Sequence, residues 1–126
     1  MKRVISTPTA PAAVGAYSQA TTDGDLVFTA GQIALTADGE FLGDEPVGVQ
    51  TRQALENVKA ILEEEGLTLQ DVLKVTIFLA DIDDYDAMNE AYAEYFQDNP
   101  PARSALAVAD LPKGAAVEIE AVAAKK

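Results

Sequence analysis

The 126-residue chain contains no cysteine, no histidine and no tryptophan, and only 9 lysines and arginines stand against 21 aspartates and glutamates. Without histidine or cysteine there is no Ser-His-Asp or Cys-His nucleophile, no thiolate or imidazole metal site and no disulfide framework. Any chemistry must run on carboxylates, arginine, lysine, tyrosine, hydroxyls, backbone groups and water, and no metal or cofactor is expected. The formal charge of −12 opposes phosphate backbones and anionic lipid, so neither nucleic acid nor a membrane is an expected partner. It reads as an acidic surface of the kind that stays soluble in concentrated salt, or as that of an ordinary acidic cytoplasmic protein. No stretch approaches the eighteen or so apolar residues of a membrane span, and the start Met1-Lys2-Arg3-Val4-Ile5-Ser6 lacks the apolar core of a secretion signal. The expectation is a soluble cytoplasmic protein with one domain over residues 1–126, burying about two thirds of its unfolded surface.

What is present alternates between two periodicities. Residues 2–6 read as a short strand, and 18–21 and Leu26–Thr29 flank Thr22-Asp23-Gly24 as a hairpin. From Val47 the apolar positions Ala54, Leu55, Val58, Ile61 and Leu62 follow a helical repeat, Glu63 to Glu65 read as its solvated end, and Gly66 as its terminator. That acidic end opposes the helix dipole. Thr68 and Asp71 form a short capping box before Val72–Leu79, where Val75, Ile77 and Leu79 face away from Lys74, Thr76 and Phe78. A second helix is expected with Asp83 or Asp84 as its cap and the stripe Tyr85, Met88, Tyr92, Tyr95, Phe96, ending at Asn99-Pro100-Pro101. Strands at 103–109 and 116–124 flank the turn Leu111-Pro112-Lys113-Gly114. The order β-β-β-α-β-α-β-β predicts an α+β fold with one mixed sheet and two helices on one face. The other face, mostly small and apolar, needs a partner subunit to cover it.

Few side chains resist a structural explanation. Asp81-Ile82-Asp83-Asp84-Tyr85-Asp86 resembles a calcium loop, but Tyr85 stands where a ligand is needed and Asp86 where a glycine is needed, so capping is the better reading. The glycines form neither a dinucleotide fingerprint nor a phosphate-binding loop. Tyr92 and Tyr95 belong to the apolar stripe and read as core or interface aromatics. Arg103 opens an otherwise apolar strand, where a guanidinium requires an anion, either a structural carboxylate or that of a ligand. Glu118 and Glu120 share one strand face opposite Val117, Ile119 and Ala121. They read as a solvated face, or as a carboxylate near an arginine that positions water as a general base.

Over nearly its whole length the chain resembles the reactive intermediate deaminases, the Rid/YjgF family. The resemblance rests on Gly15-Ala16-Tyr17-Ser18-Gln19-Ala20, Thr29-Ala30-Gly31-Gln32-Ile33 and Gln53-Ala54-Leu55-Glu56-Asn57-Val58, and above all on Pro101-Ala102-Arg103-Ser104 followed by Leu111-Pro112 and Glu118-Ile119-Glu120-Ala121. It implies a chorismate mutase-like fold, a homotrimer with sites in the clefts between subunits, and hydrolysis of 2-iminopropanoate and 2-iminobutanoate to 2-keto acids and ammonia. By that resemblance Arg103 binds the substrate carboxylate, Glu118 positions the attacking water, Tyr17 lines the pocket, Gly31 and Ala105 offer backbone contacts, and Asn89 shapes the wall. Two positions depart from the family: Ala16 stands where proline is common and Ala30 where serine is. A trimeric binding module that senses small carboxylates or stabilises another enzyme is the alternative. A ribonuclease activity, attributed to some relatives, fits poorly with the negative charge.

Overall fold

The computed structural model describes residues 2–125. Its elements are β1 (Arg3–Ile5), β2 (Ala20–Thr22), β3 (Leu26–Thr29), α1 (Val47–Glu64), β4 (Val72–Leu79), α2 (Tyr85–Ala93), β5 (Ala102–Ala107) and β6 (Val117–Ala124), the order that the periodicities predict. The strands form one sheet in the order β1-β2-β3-β6-β4-β5, with β4 and β5 parallel and every other pair antiparallel. The last strand of the sequence therefore runs through the middle of the sheet, and β5 forms an edge. No helix among the described residues is long and apolar enough to cross a membrane.

The alternation along β4 and β6 divides the sheet into two faces. Val75, Ile77 and Leu79 align with Ala121, Ile119 and Val117, and all six are buried. Against them pack Ala54, Leu55, Val58, Ile61 and Leu62 of α1 and Met88 and Tyr92 of α2, so both helices cover this face. The opposite face carries Lys74, Thr76, Phe78, Glu118, Glu120 and Val122, continued by Val4 and Phe28 at one side and Leu106 at the other. Val4, Phe28 and Leu106 are 55%, 46% and 43% exposed, so none of the described elements covers that face; it is not the mostly small, apolar surface expected, since Lys74, Phe78, Glu118 and Glu120 stand on it.

Local chemistry fixes the ends. The capping box forms as expected: Thr68 Oγ1 accepts from Gln70 N and Asp71 Oδ2 accepts from Thr68 N at 2.9 Å, around a 3-10 turn ahead of β4. At α2 the capping duty falls to Asp81, not to Asp83 or Asp84. Its Oδ1 accepts from Asp83 N at 2.9 Å and starts a 3-10 turn, while Asp84, the residue before α2, makes no side-chain cap bond. The helix closes at Ala93, earlier than the proline pair; Glu94 and Tyr95 follow in a turn and Phe96 lies beyond it.

The end of α1 differs from expectation more sharply. Glu65 is not solvated: its side chain is 9% exposed and lies between the two ends of the described chain. Arg3 donates to both carboxylate oxygens, at 2.9 and 2.6 Å, and Lys125 Nζ donates to Oε1 at 3.0 Å. The bonds from Arg3 and Lys125 hold the Glu65 carboxyl down at about 2. A carboxylate that opposes the helix dipole is thus compensated by two cations distant in sequence, Arg3 on β1 and Lys125 just past β6.

Candidate functional site

A cavity of about 450 Å³ opens beside the start of β6. Its walls include Tyr17, Ala30, Gly31, Gln32, Lys113 and Glu118, so three of the residues singled out in the sequence, Tyr17, Gly31 and Glu118, meet there. The wall beside Glu118 is an extension of β3. Gln32 N donates to Ile119 O at 2.8 Å and Ile119 N donates back to Gln32 O at 2.9 Å, bringing the 30–33 segment alongside β6. A side chain at position 31 could not share this space with Glu118 where it stands. A Cβ on Gly31 would lie 2.8 Å from Glu118 Cδ and nearer still to Oε2. The Glu118 carboxylate therefore lies over a backbone that has no side chain.

Buried amides hold the remaining walls. Gln19 Oε1 accepts from Thr7 N at 2.6 Å, while its Nε2 donates to Thr7 O, Ala10 O and Pro11 O, the last at 2.7 Å. This fixes the proline-containing stretch that leads to Tyr17. Asn57 Nδ2, from α1, donates to Ile33 O and Leu35 O and ties down the segment after Gln32. Tyr17 stands 52% exposed at the cavity, its hydroxyl accepting from Val14 N at 3.3 Å. Lys113 sits in a left-handed conformation (φ 58°) within the turn ahead of β6 and lines the same cavity. Burial raises the Glu118 pKa above the ordinary glutamate value, and the charge of Glu120 on the same face raises it further.

Arg103, Asn89 and Ala105 lie elsewhere. Arg103 pairs with Val75 and Ala105 with Ile77 in the parallel β4–β5 ladder, which puts both on the helix-covered face, whereas Glu118 pairs with Phe78 on the open face. Within one chain the arginine and the glutamate project from opposite sides of the sheet. Arg103 Nη1 donates to Asn89 Oδ1 at 2.8 Å and Nη2 donates to the Tyr85 hydroxyl at 2.6 Å. The guanidinium carbon is 4.7 Å from the Tyr92 ring centroid and 5.6 Å from that of Tyr85. Among the described residues no carboxylate pairs with it. Of the two partners that the sequence left open, a structural carboxylate is excluded among these residues. Ala105 is half-buried on β5, whose outer edge carries no further strand.

Sequence reasoning missed Gln19, Asn57, Lys113 and Tyr85. Tyr85 counted as part of an apolar stripe, although a tyrosine at the wet end of such a stripe commonly finds a polar partner, which was the available signal. Tyr92 is a core aromatic as expected, stacked on Phe96 at 4.6 Å, but its other role is to carry the guanidinium. Burial pushes its hydroxyl up to about 12, against the opposing influence of the Arg103 charge.

Residues 7–125 match the family model described as endoribonuclease L-PSP. The chain is 49% identical over its full length to a RutC family protein of Pyrococcus horikoshii, also over that protein's full length. It is 45% identical to the human 2-iminobutanoate/2-iminopropanoate deaminase, a match covering 98% of this chain and 90% of the human one. Among solved structures, Escherichia coli TdcF with bound serine superposes with a TM-score of 0.93 at 41% identity, over 98% of this chain and 99% of the other.

Proposed function

The chain belongs to the endoribonuclease L-PSP family, also called YjgF/Rid, and from that premise we propose that it hydrolyses 2-iminopropanoate and 2-iminobutanoate to 2-keto acids and ammonia. The observation that carries this reading is the pairing of Arg103 with neutral groups alone. A half-buried guanidinium without a carboxylate partner among the described residues is a site for a ligand carboxylate, and its planar fork suits that geometry. Relatives named as deaminases of such substrates, and one relative solved with the carboxylate-bearing serine, support the same ligand class.

The chemistry follows from the groups available. An imine carbon is already electrophilic, so positioned water and a proton acceptor suffice. Glu118 accepts a proton from water as the water oxygen bonds to the imine carbon and the C=N π pair moves onto nitrogen. Glu118 returns that proton to the nitrogen, and as the hydroxyl of the adduct gives up its own proton, relayed by the same carboxylate to nitrogen, the C=O bond of the keto acid forms, the C–N bond breaks and ammonia departs. Gly31 lets the carboxylate lie close against the cavity wall, Tyr17 closes one side, and the free edge at Ala105 offers backbone groups.

Arg103 and Glu118 act together in this reading only across a subunit boundary, because one chain projects them from opposite faces. A homotrimer with three shared sites, its open sheet faces covered by neighbouring subunits, satisfies both demands. The protein then acts in the cytoplasm as a scavenger of reactive imines released by pyridoxal phosphate-dependent dehydratases. The competing binding-module reading keeps the carboxylate site and drops the role of Glu118. A ribonuclease, as the family description would have it, faces the repulsion of a chain at −12. Adding the protein to a threonine dehydratase reaction decides the matter: faster release of ammonia and 2-oxobutanoate supports the deaminase, and an unchanged rate contradicts it.

A further inference from the structure

Resting on the reading of Arg103 as the carboxylate clamp, we infer that Tyr85 and Tyr92 are positioning residues that, together with Asn89, fix the plane of its guanidinium. The three occur at the i, i+4 and i+7 positions of α2, which places them on one helical face. Each makes a different contact. The Tyr85 hydroxyl takes one N–H of Nη2 at 2.6 Å, Asn89 Oδ1 takes one of Nη1 at 2.8 Å, and the buried Tyr92 ring lies beneath the group at 4.7 Å. A guanidinium held by one hydrogen bond can pivot; held by one on each terminal nitrogen and stacked on a ring, it has a defined plane.

What remains free matters as much. With one N–H of each terminal nitrogen engaged, the second N–H of each and the Nε–H are still available to a bidentate anion. All three contacts are neutral, so none competes with a ligand for the positive charge. Tyr92 is only 4% exposed, and its hydroxyl has no hydrogen-bond partner among the described residues, so its contribution to this site comes from the ring.

Tyr85→Phe removes only the oxygen that holds Nη2. With 2-iminopropanoate as substrate and pyruvate as inhibitor, KM and the inhibition constant are expected to rise together by about tenfold, the scale of one charge-assisted hydrogen bond. The acid limb of the pH profile, the melting temperature and the oligomeric mass should not move. Tyr92→Leu should weaken pyruvate binding in the same direction, and Tyr92→Phe, which restores the ring face, should recover most of it. If Arg103→Met abolishes pyruvate binding while Tyr85→Phe leaves it unaltered, the positioning role is overturned and the carboxylate clamp stands. A Tyr85→Phe protein with lower melting temperature and kcat but unmoved KM would mark the contact as merely structural and overturn it too. If Arg103→Met itself binds pyruvate normally, the clamp fails first and the positioning role with it.

Discussion

Gly31 and Glu118 share a space too small for a methyl group: the Cβ that any other residue would carry at position 31 would lie 2.8 Å from Glu118 Cδ. The glutamate's position over the cavity therefore depends on an absence in the segment that follows β3. Gly31→Ala should displace the carboxylate rather than unfold the chain, because the opposing atoms belong to a side chain facing a cavity. The expected result is a loss of turnover of about tenfold or more, since a misplaced base loses its alignment with water, with little change in melting temperature. Comparing kcat with the thermal midpoint on the same sample checks it. Full activity in a folded Gly31→Ala protein would detach Glu118 from the reaction.

Glu118 should also set the acid limb of the pH profile. A general base must be ionised, and burial first, then Glu120, raise the Glu118 pKa above the usual glutamate range. Activity should therefore fall on acidification at a higher pH than an exposed glutamate would give. Glu120→Gln removes the second cause and leaves the first, so the limb should move to lower pH without disappearing. A profile of kcat against pH for both proteins measures the shift. A limb unmoved by the substitution would mean that Glu120 does not act on the titrating group.

A separate titration governs stability at the junction of the chain ends. Glu65 is depressed to about 2 by Arg3 and Lys125. A carboxyl lowered in the folded state stabilises it above the unfolded-state pKa, near 4.3 for glutamate, and that contribution is lost as pH falls towards the folded value. Wild type should lose thermal stability between about pH 4.5 and 2, and Glu65→Gln should begin lower at neutral pH and lose less over that window. Thermal melts at both ends of the window read this directly. Parallel losses in the two proteins would show that the cluster does not contribute.

Sequence periodicity carried the elements, the faces of β4 and β6 and the capping box, because each depends on residues close in the chain. What it could not carry are relationships fixed by pairing. Nothing local tells that β5 lies parallel to β4 with Arg103 beside Val75, yet that register decides which face the arginine takes. The Glu65 cluster was invisible for the same reason, since its partners Arg3 and Lys125 lie 62 and 60 residues away. Gln19 and Asn57 stood in the motifs, but their role in holding backbone carbonyls around the cavity appears only once the loops are folded.

In the proposed trimer one working site takes Arg103 from one subunit and Glu118 from another. Arg103→Met and Glu118→Gln proteins should each assemble and each be nearly inactive. Unfolded together in equal amounts and refolded, they should regain about a quarter of wild-type turnover, the chance that a shared site receives an intact arginine from one neighbour and an intact glutamate from the other. Imine hydrolysis per folded subunit is the measurement. Recovery near that level supports the shared site, and mixed assemblies as inactive as either parent would contradict it.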